Sequence, residues 1–141
     1  MLGIYYKNGY IPTFLLVITI VWFLLFSVPN LLLHINYYKN DRGKKLYIDF
    51  NRKKIIILKG GIEKNISFKD VVKVEKVGIC PSISYTIDTI AAWKYFYFYR
   101  IKLKDGSFVT LTRFLIFNLE QLLPNFHYHC LPRRYPMIKI K

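Results

Sequence analysis

"WKYFYFYRIKLKDGSFVTLT", Trp93 to Thr112, decides how the second half of this chain folds. Aromatic residues run unbroken from Tyr95 to Tyr99, cations follow, and Asp105-Gly106 comes next. An Asp-Gly pair between two alternating apolar segments is the strongest short-range signal of a β-hairpin. A strand sends alternate side chains to opposite faces. Trp93, Tyr95, Tyr97, Tyr99, Ile101 and Leu103 then share a face that stays apolar to its end, and that face is assigned to the core. Phe96, Phe98, Arg100, Lys102 and Lys104 share the other, which changes from aromatic to cationic. Exposed phenylalanines would be costly, so something covers them: the domain's own helix or tail, a lipid interface or a second protein. Phe96, Phe98, Arg100 and Lys102 are therefore the candidate interaction face.

The segments before this hairpin also read as strands. "KLYIDF" alternates, with Leu46, Ile48 and Phe50 on one face. "NRKK" makes a turn, with Asn51 as its local hydrogen-bonding residue. "IIIL", Ile55 to Leu58, is β-branched and bounded by Gly60 and Gly61, which reads as a second strand. "IEKNISF", "VVKVEKV" and "SISYTID" supply three more candidates, the last over Ser82 to Asp88. After the hairpin, "RFLIFNLEQLL" places Leu115, Leu119, Leu122 and Leu123 at helical spacing, and Pro124 stops the helix. Asn118 with Gln121 reads as a capping pair, which would make the helix short. About six or seven antiparallel strands closed by one helix predict a small curled sheet or partial barrel.

The chain has 141 residues, a formal net charge of +14, and 53% apolar residues. A small chain both basic and apolar points to a membrane protein or a nucleic-acid binder. "IPTFLLVITIVWFLLFSVPNLLL", Ile11 to Leu33, holds no charged residue and no histidine. A membrane-crossing helix needs roughly 20 mostly apolar residues, and this run is apolar all round. Tyr5, Tyr6 and Tyr10 before it, and Tyr37 and Tyr38 after it, resemble the aromatic belts of a bilayer. A cleaved signal peptide is the rival, but "PNLLLHINYY" offers no small-residue cleavage site. A buried core helix is the other, but such runs are usually shorter. Pro29 could kink the span or end it.

Only Lys7 precedes the run, whereas Lys39, Arg42, Lys44, Lys45, Arg52, Lys53 and Lys54 follow it. Positive flanks stay in the cytoplasm, so a single-pass chain with its N-terminus outside and its C-terminal domain in the cytoplasm is expected. Cys80 and Cys130 form no disulfide framework, and free thiols suit a reducing compartment. The expected organisation is a short non-cytoplasmic segment over 1–10, a transmembrane helix over 11–33, a basic linker over 34–45, a β domain over 46–126 and a basic C-terminal tail over 127–141.

"KKLYIDFNRKKIIILKGGIEKNISFKDVVKVEKVG", "YFYFYRIKLKDGSFVTLT" and "NLEQLL" together resemble the bacterial pleckstrin-homology-like domains, over roughly residues 44 to 124. The resemblance rests on a strand ending in a polar, basic turn, on "ISFKDVVKVEKV" leading into a later strand, and on the "LKDGSFVTL" hairpin before a helix. It implies a mainly β, pleckstrin-homology-like partial barrel capped by a C-terminal helix and attached to one or two membrane helices, of which this chain shows one. It also implies that the first strand–turn region, here Arg52, Lys53 and Lys54, can hold an anionic headgroup.

No nucleophile elbow, phosphate-binding glycine loop, dinucleotide fingerprint or zincin motif is present. No enzyme activity and no cofactor are expected. "HYHC" is the one metal-like cluster, with His127, His129 and Cys130, but a fourth ligand is missing nearby and a solvated tail is the simpler reading. Anionic lipid attracts each basic residue near the surface by about 1 kcal/mol, so Lys39, Arg42, Lys44, Lys45, Arg52, Lys53 and Lys54 are candidate lipid contacts; the plainer reading is that they set topology. Basic strands with exposed aromatics can stack on single-stranded nucleic acid, but the apolar span argues against that partner. The leading expectation is a non-enzymatic, membrane-anchored domain that binds a membrane protein, itself or anionic lipid. A small membrane-anchored immunity or stress protein is the alternative; a membrane enzyme would need clustered polar groups in a pocket.

Overall fold

The computed structural model describes residues 12–80, 95–133 and 135–139. The tyrosines before the apolar run, Lys7, the strand read over Ser82 to Asp88 and Trp93 lie outside the described residues.

The apolar run folds as one helix, α1, Thr13–Asp41. It is long and apolar enough to cross a membrane, by length and composition. Pro29 does not end it. Proline lacks the N–H that would bond the carbonyl one turn earlier, and beside that gap the Asn30 side-chain amide donates to the Phe26 carbonyl at 2.9 Å. The helix also continues into the residues read as a linker, as far as Asp41. Its last turn is held by Thr112, whose hydroxyl donates to the Asp41 carboxylate.

Seven strands follow in the described residues. β1 (Lys44–Asp49), β2 (Lys54–Lys59) and β3 (Ile62–Ser67) form an antiparallel meander. A single 3-10 turn, Phe68–Asp70, leads into β4 (Val71–Gly78). β4 belongs to a second sheet of order β6-β5-β4-β7, with β5 Phe98–Leu103, β6 Phe108–Thr112 and β7 Tyr128–Pro132. The β5–β6 hairpin turns at Asp105-Gly106, where Gly106 has φ +80° and the Asp105 carboxylate accepts from the Ser107 amide at 2.8 Å. Short helix α2, Leu119–Leu122, precedes β7; the Asn118 side chain caps it by accepting from the Gln121 amide. The sequence spacing would have begun the helix at Leu115. Instead the chain turns until Asn118, because that cap fixes the first helical residue.

The C-terminal segment departs from the tail reading. β7 pairs with β4 in parallel, Val74 opposite Tyr128 and Gly78 opposite Pro132. Beyond it the chain returns to α1. The Tyr37 hydroxyl donates to the Pro136 carbonyl at 3.0 Å, and Asn36 both donates to the Ile138 carbonyl and accepts from its amide.

Burial divides the apolar residues into two clusters. The larger lies between the sheets and includes Ile55, Ile57, Ile66, Val74, Tyr99, Ile101 and Leu111. The smaller lies on the outer face of the second sheet and joins Val77 and Phe98 to Leu33 and Tyr37 of α1. Gly78 ends β4 where a side chain cannot fit: a Cβ there would sit 2.7 Å from that of Tyr97.

Candidate functional site

The aromatic strand resolves by face. Tyr99, Ile101 and Leu103 point into the main core and are buried. Phe98 points outward yet is only 6% exposed, because α1 covers it. Tyr37 meets Phe98, Phe96 and Phe114 edge-on, at ring separations of 6.3, 5.5 and 5.7 Å. Phe98 is thus covered within the chain, chiefly by the end of α1, and Phe96 is half-buried beside it. Regular pairing begins at Phe98, so Tyr95 is not part of the strand and is exposed. The Arg113 guanidinium lies over the Tyr95, Tyr97 and Phe117 rings, at 5.9, 5.6 and 5.5 Å.

Past Phe98 the outer face is charged. Arg100 gives two contacts to Glu75, from Nε at 2.7 Å and Nη2 at 2.6 Å, and Lys73 Nζ approaches the other oxygen at 2.6 Å. Burial by itself would raise the Glu75 carboxyl, but these hydrogen bonds and charges overcome it and hold the group below its ordinary value. Arg100 is therefore occupied within the chain, while Lys102 is exposed.

The basic residues named from sequence separate into two groups. Lys39, Arg42, Lys44 and Lys45 lie at the end of α1 and the start of β1; Lys44 Nζ is 3.9 Å from the Asp41 carboxylate. Arg52, Lys53 and Lys54 lie at the opposite end of β1, about 20 Å of strand away. Their turn is shaped by Asp49, which accepts from the Arg52 amide at 2.9 Å, and by Lys53 at φ +51°. Lys53 borders a cavity of about 480 Å³ whose other walls are apolar except for Asn125, with Phe50, Phe68, Leu123 and Phe126 among them. The arrangement offers one ammonium group at the rim of a greasy hollow, with Arg52 exposed beside it.

The metal reading of "HYHC" is corrected. Cys130 is bonded to Cys80, with Cα atoms 5.9 Å apart, so it has no thiolate to offer. His129 and Cys130 are neighbours on a strand and leave on opposite faces. Among the described residues no group of three metal-ligating side chains is assembled. The expectation that Cys80 and Cys130 stand unpaired is corrected by the same bond: β7 lies beside β4, which brings together cysteines that sequence separates by 50 positions.

Two elements of this surface escaped sequence reasoning. An all-round apolar helix has no stripe to announce that one side packs on a domain, so the α1 contact had no signal. β7 had one in principle, the alternation of Tyr128 and Cys130 against His129 and Leu131, but histidines and prolines obscured it.

No curated protein and no solved structure matched the chain. A family model described as PH domain matches residues 1–122. That match takes in α1, the first sheet, β4 to β6 of the second and α2, leaving β7 beyond it, and it agrees with the two open sheets and short C-terminal helix seen here: the chain belongs to the PH domain family.

Proposed function

We propose that this protein is a non-enzymatic interaction module anchored in a membrane by α1, with its β domain on the cytoplasmic side. It would meet a membrane protein, a second copy of itself or anionic lipid at the bilayer surface. The observation that carries this reading is the junction between α1 and the domain. Leu33 and Tyr37 are buried against Val77 and Phe98, and Asn36 and Tyr37 bind the returning C-terminal segment. A helix that merely tethered a domain would end in a free linker. This one is packed into the fold, so the domain would sit at a fixed height and angle on the bilayer. Family membership supports a binding role over a catalytic one, since PH domains are generally interaction modules.

Arg52, Lys53 and Lys54 are the proposed lipid contact, with Lys39, Arg42 and Lys45 contributing nearer the helix. The test is binding of the full chain, in neutral-lipid nanodiscs, to vesicles containing phosphatidylglycerol. Replacing Arg52, Lys53 and Lys54 with Gln should weaken binding about tenfold or more, from about 1 kcal/mol per lost charge. Unchanged binding, or none by the natural protein, would remove the lipid role. Gentle-detergent purification addresses the protein partner: a stoichiometric companion or a homo-oligomer is expected, and a lone monomer would count against it.

A further inference from the structure

A second cationic site lies at the other end of the first sheet. On its inner face β1 presents Lys44, Leu46 and Ile48; β2 presents Ile55, Ile57 and Lys59; β3 presents Ile62, Lys64 and Ile66. The register sets Lys44 opposite Lys59 and Lys64 opposite Ile57. The apolar members enter the main core, as period-two alternation requires. At the far end the same face carries three lysines. Alternation alone would have placed all three inside, and an inner-facing lysine without an acid is costly to bury.

There the two sheets part and leave a cleft of about 340 Å³ between these lysines and β6, floored by Ile57 and Val109. Ile62 and Phe108 flank it and are 76% and 58% exposed. Among the described residues no carboxylate lines it. Lys59 and Lys64 have no acid within ion-pair distance among the described residues. Lys44 has Asp41, but burial first, and then the nearby Lys59 charge against the help of Asp41, hold its ammonium below the ordinary value. An anion entering the cleft would relieve that repulsion.

Among the described residues the fourth wall is a free strand edge. β6 ends its sheet. The Leu103 amide donates to the Ser107 carbonyl and the Arg113 amide to that of Tyr97, so odd-numbered residues of β6 face β5. Phe108 and Thr110 then turn their backbone N–H and C=O groups outward, into the cleft. An unpaired edge is a template for another strand.

We propose that this cleft docks an acidic peptide segment in extended conformation, added as a strand along the free edge of β6 with its carboxylates meeting Lys44, Lys59 and Lys64. Lipid fits less well. The helix runs on from Leu33 to Asp41, about 12 Å at 1.5 Å per residue, which lifts Lys44 clear of the hydrocarbon of the proposed span. The inference rests on the reading of the chain as a binding module, and the experiment keeps the two separable.

The probe is a fluorescein-labelled octapeptide of alternating Glu and Val with blocked termini, titrated against the full chain in neutral-lipid nanodiscs. The natural protein should bind it, and Lys59→Glu with Lys64→Glu should weaken binding at least about tenfold. Thr110→Pro deletes an outward N–H that edge strands can lose and should weaken it too, while Thr110→Val should not. An octapeptide N-methylated on alternate residues keeps every charge but cannot pair, and should fail to bind. That arm needs no variant to fold. No binding by the natural protein, equal binding of the N-methylated peptide, or indifference to both the lysine and Thr110→Pro changes would overturn the proposal. Phosphatidylglycerol vesicles run in parallel should bind the Lys59/Lys64 variant as they bind the natural protein. Their loss, with no peptide binding, would instead make the cleft a lipid site; loss only with the Arg52 turn variant bears on the earlier reading alone.

Discussion

Glu75 stands where the outer face of the second sheet passes from apolar to charged. Val77, two residues on, packs under α1, whereas Glu75 takes hydrogen bonds from Lys73 and Arg100. Those bonds overcome the burial that would raise its carboxyl, so its folded pKa lies below the ordinary 4.5. A carboxyl shifted down in the folded state stabilises fully above its unfolded pKa and loses that contribution as pH falls through the folded one. Glu75→Gln should therefore cost about 1.5–3 kcal/mol near neutrality, the range for hydrogen bonds to charged groups. Thermal unfolding of the full chain in micelles should show the gap between natural protein and variant closing as pH drops below about 4.5. A gap that stays constant between about pH 6 and about pH 3 would mean that Glu75 is not held by these partners. Sequence could not have identified this group. Its partner Arg100 is 25 positions away, and nothing in "VVKVEKV" marks one carboxylate as paired and another as solvated.

At the scale of elements, the strands were legible and their company was not. β1 to β6 follow from period-two alternation, β-branched runs and the Asp-Gly turn, all local properties, and the register between them needs only short turns. β7 depends on a parallel pairing with β4, whose residues are some fifty positions earlier; no local pattern encodes that. The docking of α1 is likewise non-local, and it has a measurable consequence. Tyr37→Ala with Leu33→Ala would empty the smaller cluster, at about 2–4 kcal/mol for each large-to-small change. The larger cluster shares no buried residue with it. The domain should thus remain folded but swing free of the helix. Limited trypsin digestion should then cut faster at Lys39, Arg42 and Lys44, with amide protection of β2 and β4 retained. If protection falls across both sheets together, helix and domain share one cooperative core, and the fixed-height picture must be replaced by one in which the helix is part of the fold's foundation.

For the whole molecule, two observations pull the proposed topology in opposite directions. Lys39, Arg42, Lys44 and Lys45 closely follow the apolar run, and short flanks of that sign are retained in the cytoplasm. The Cys80–Cys130 bond belongs more naturally to an oxidising compartment. The order of events decides between them. Charge acts while the helix inserts, before the domain exists; the cysteines meet only after β7 has paired with β4. A bond formed later cannot reverse an insertion already made. The structure shows the pair bonded, and a reducing cytoplasm would open that bond while an oxidant would close it again. Closing a loop of 50 residues would add up to about 4 kcal/mol by restricting the unfolded chain. A reporter active only in the cytoplasm, fused after Lys141, should be active. In untreated cells a permeant maleimide should label both cysteines, and brief diamide treatment should abolish the labelling and raise the unfolding temperature. A silent reporter, together with cysteines that label only after reduction, would place the β domain outside and turn the lysine cleft toward partners of the extracytoplasmic space.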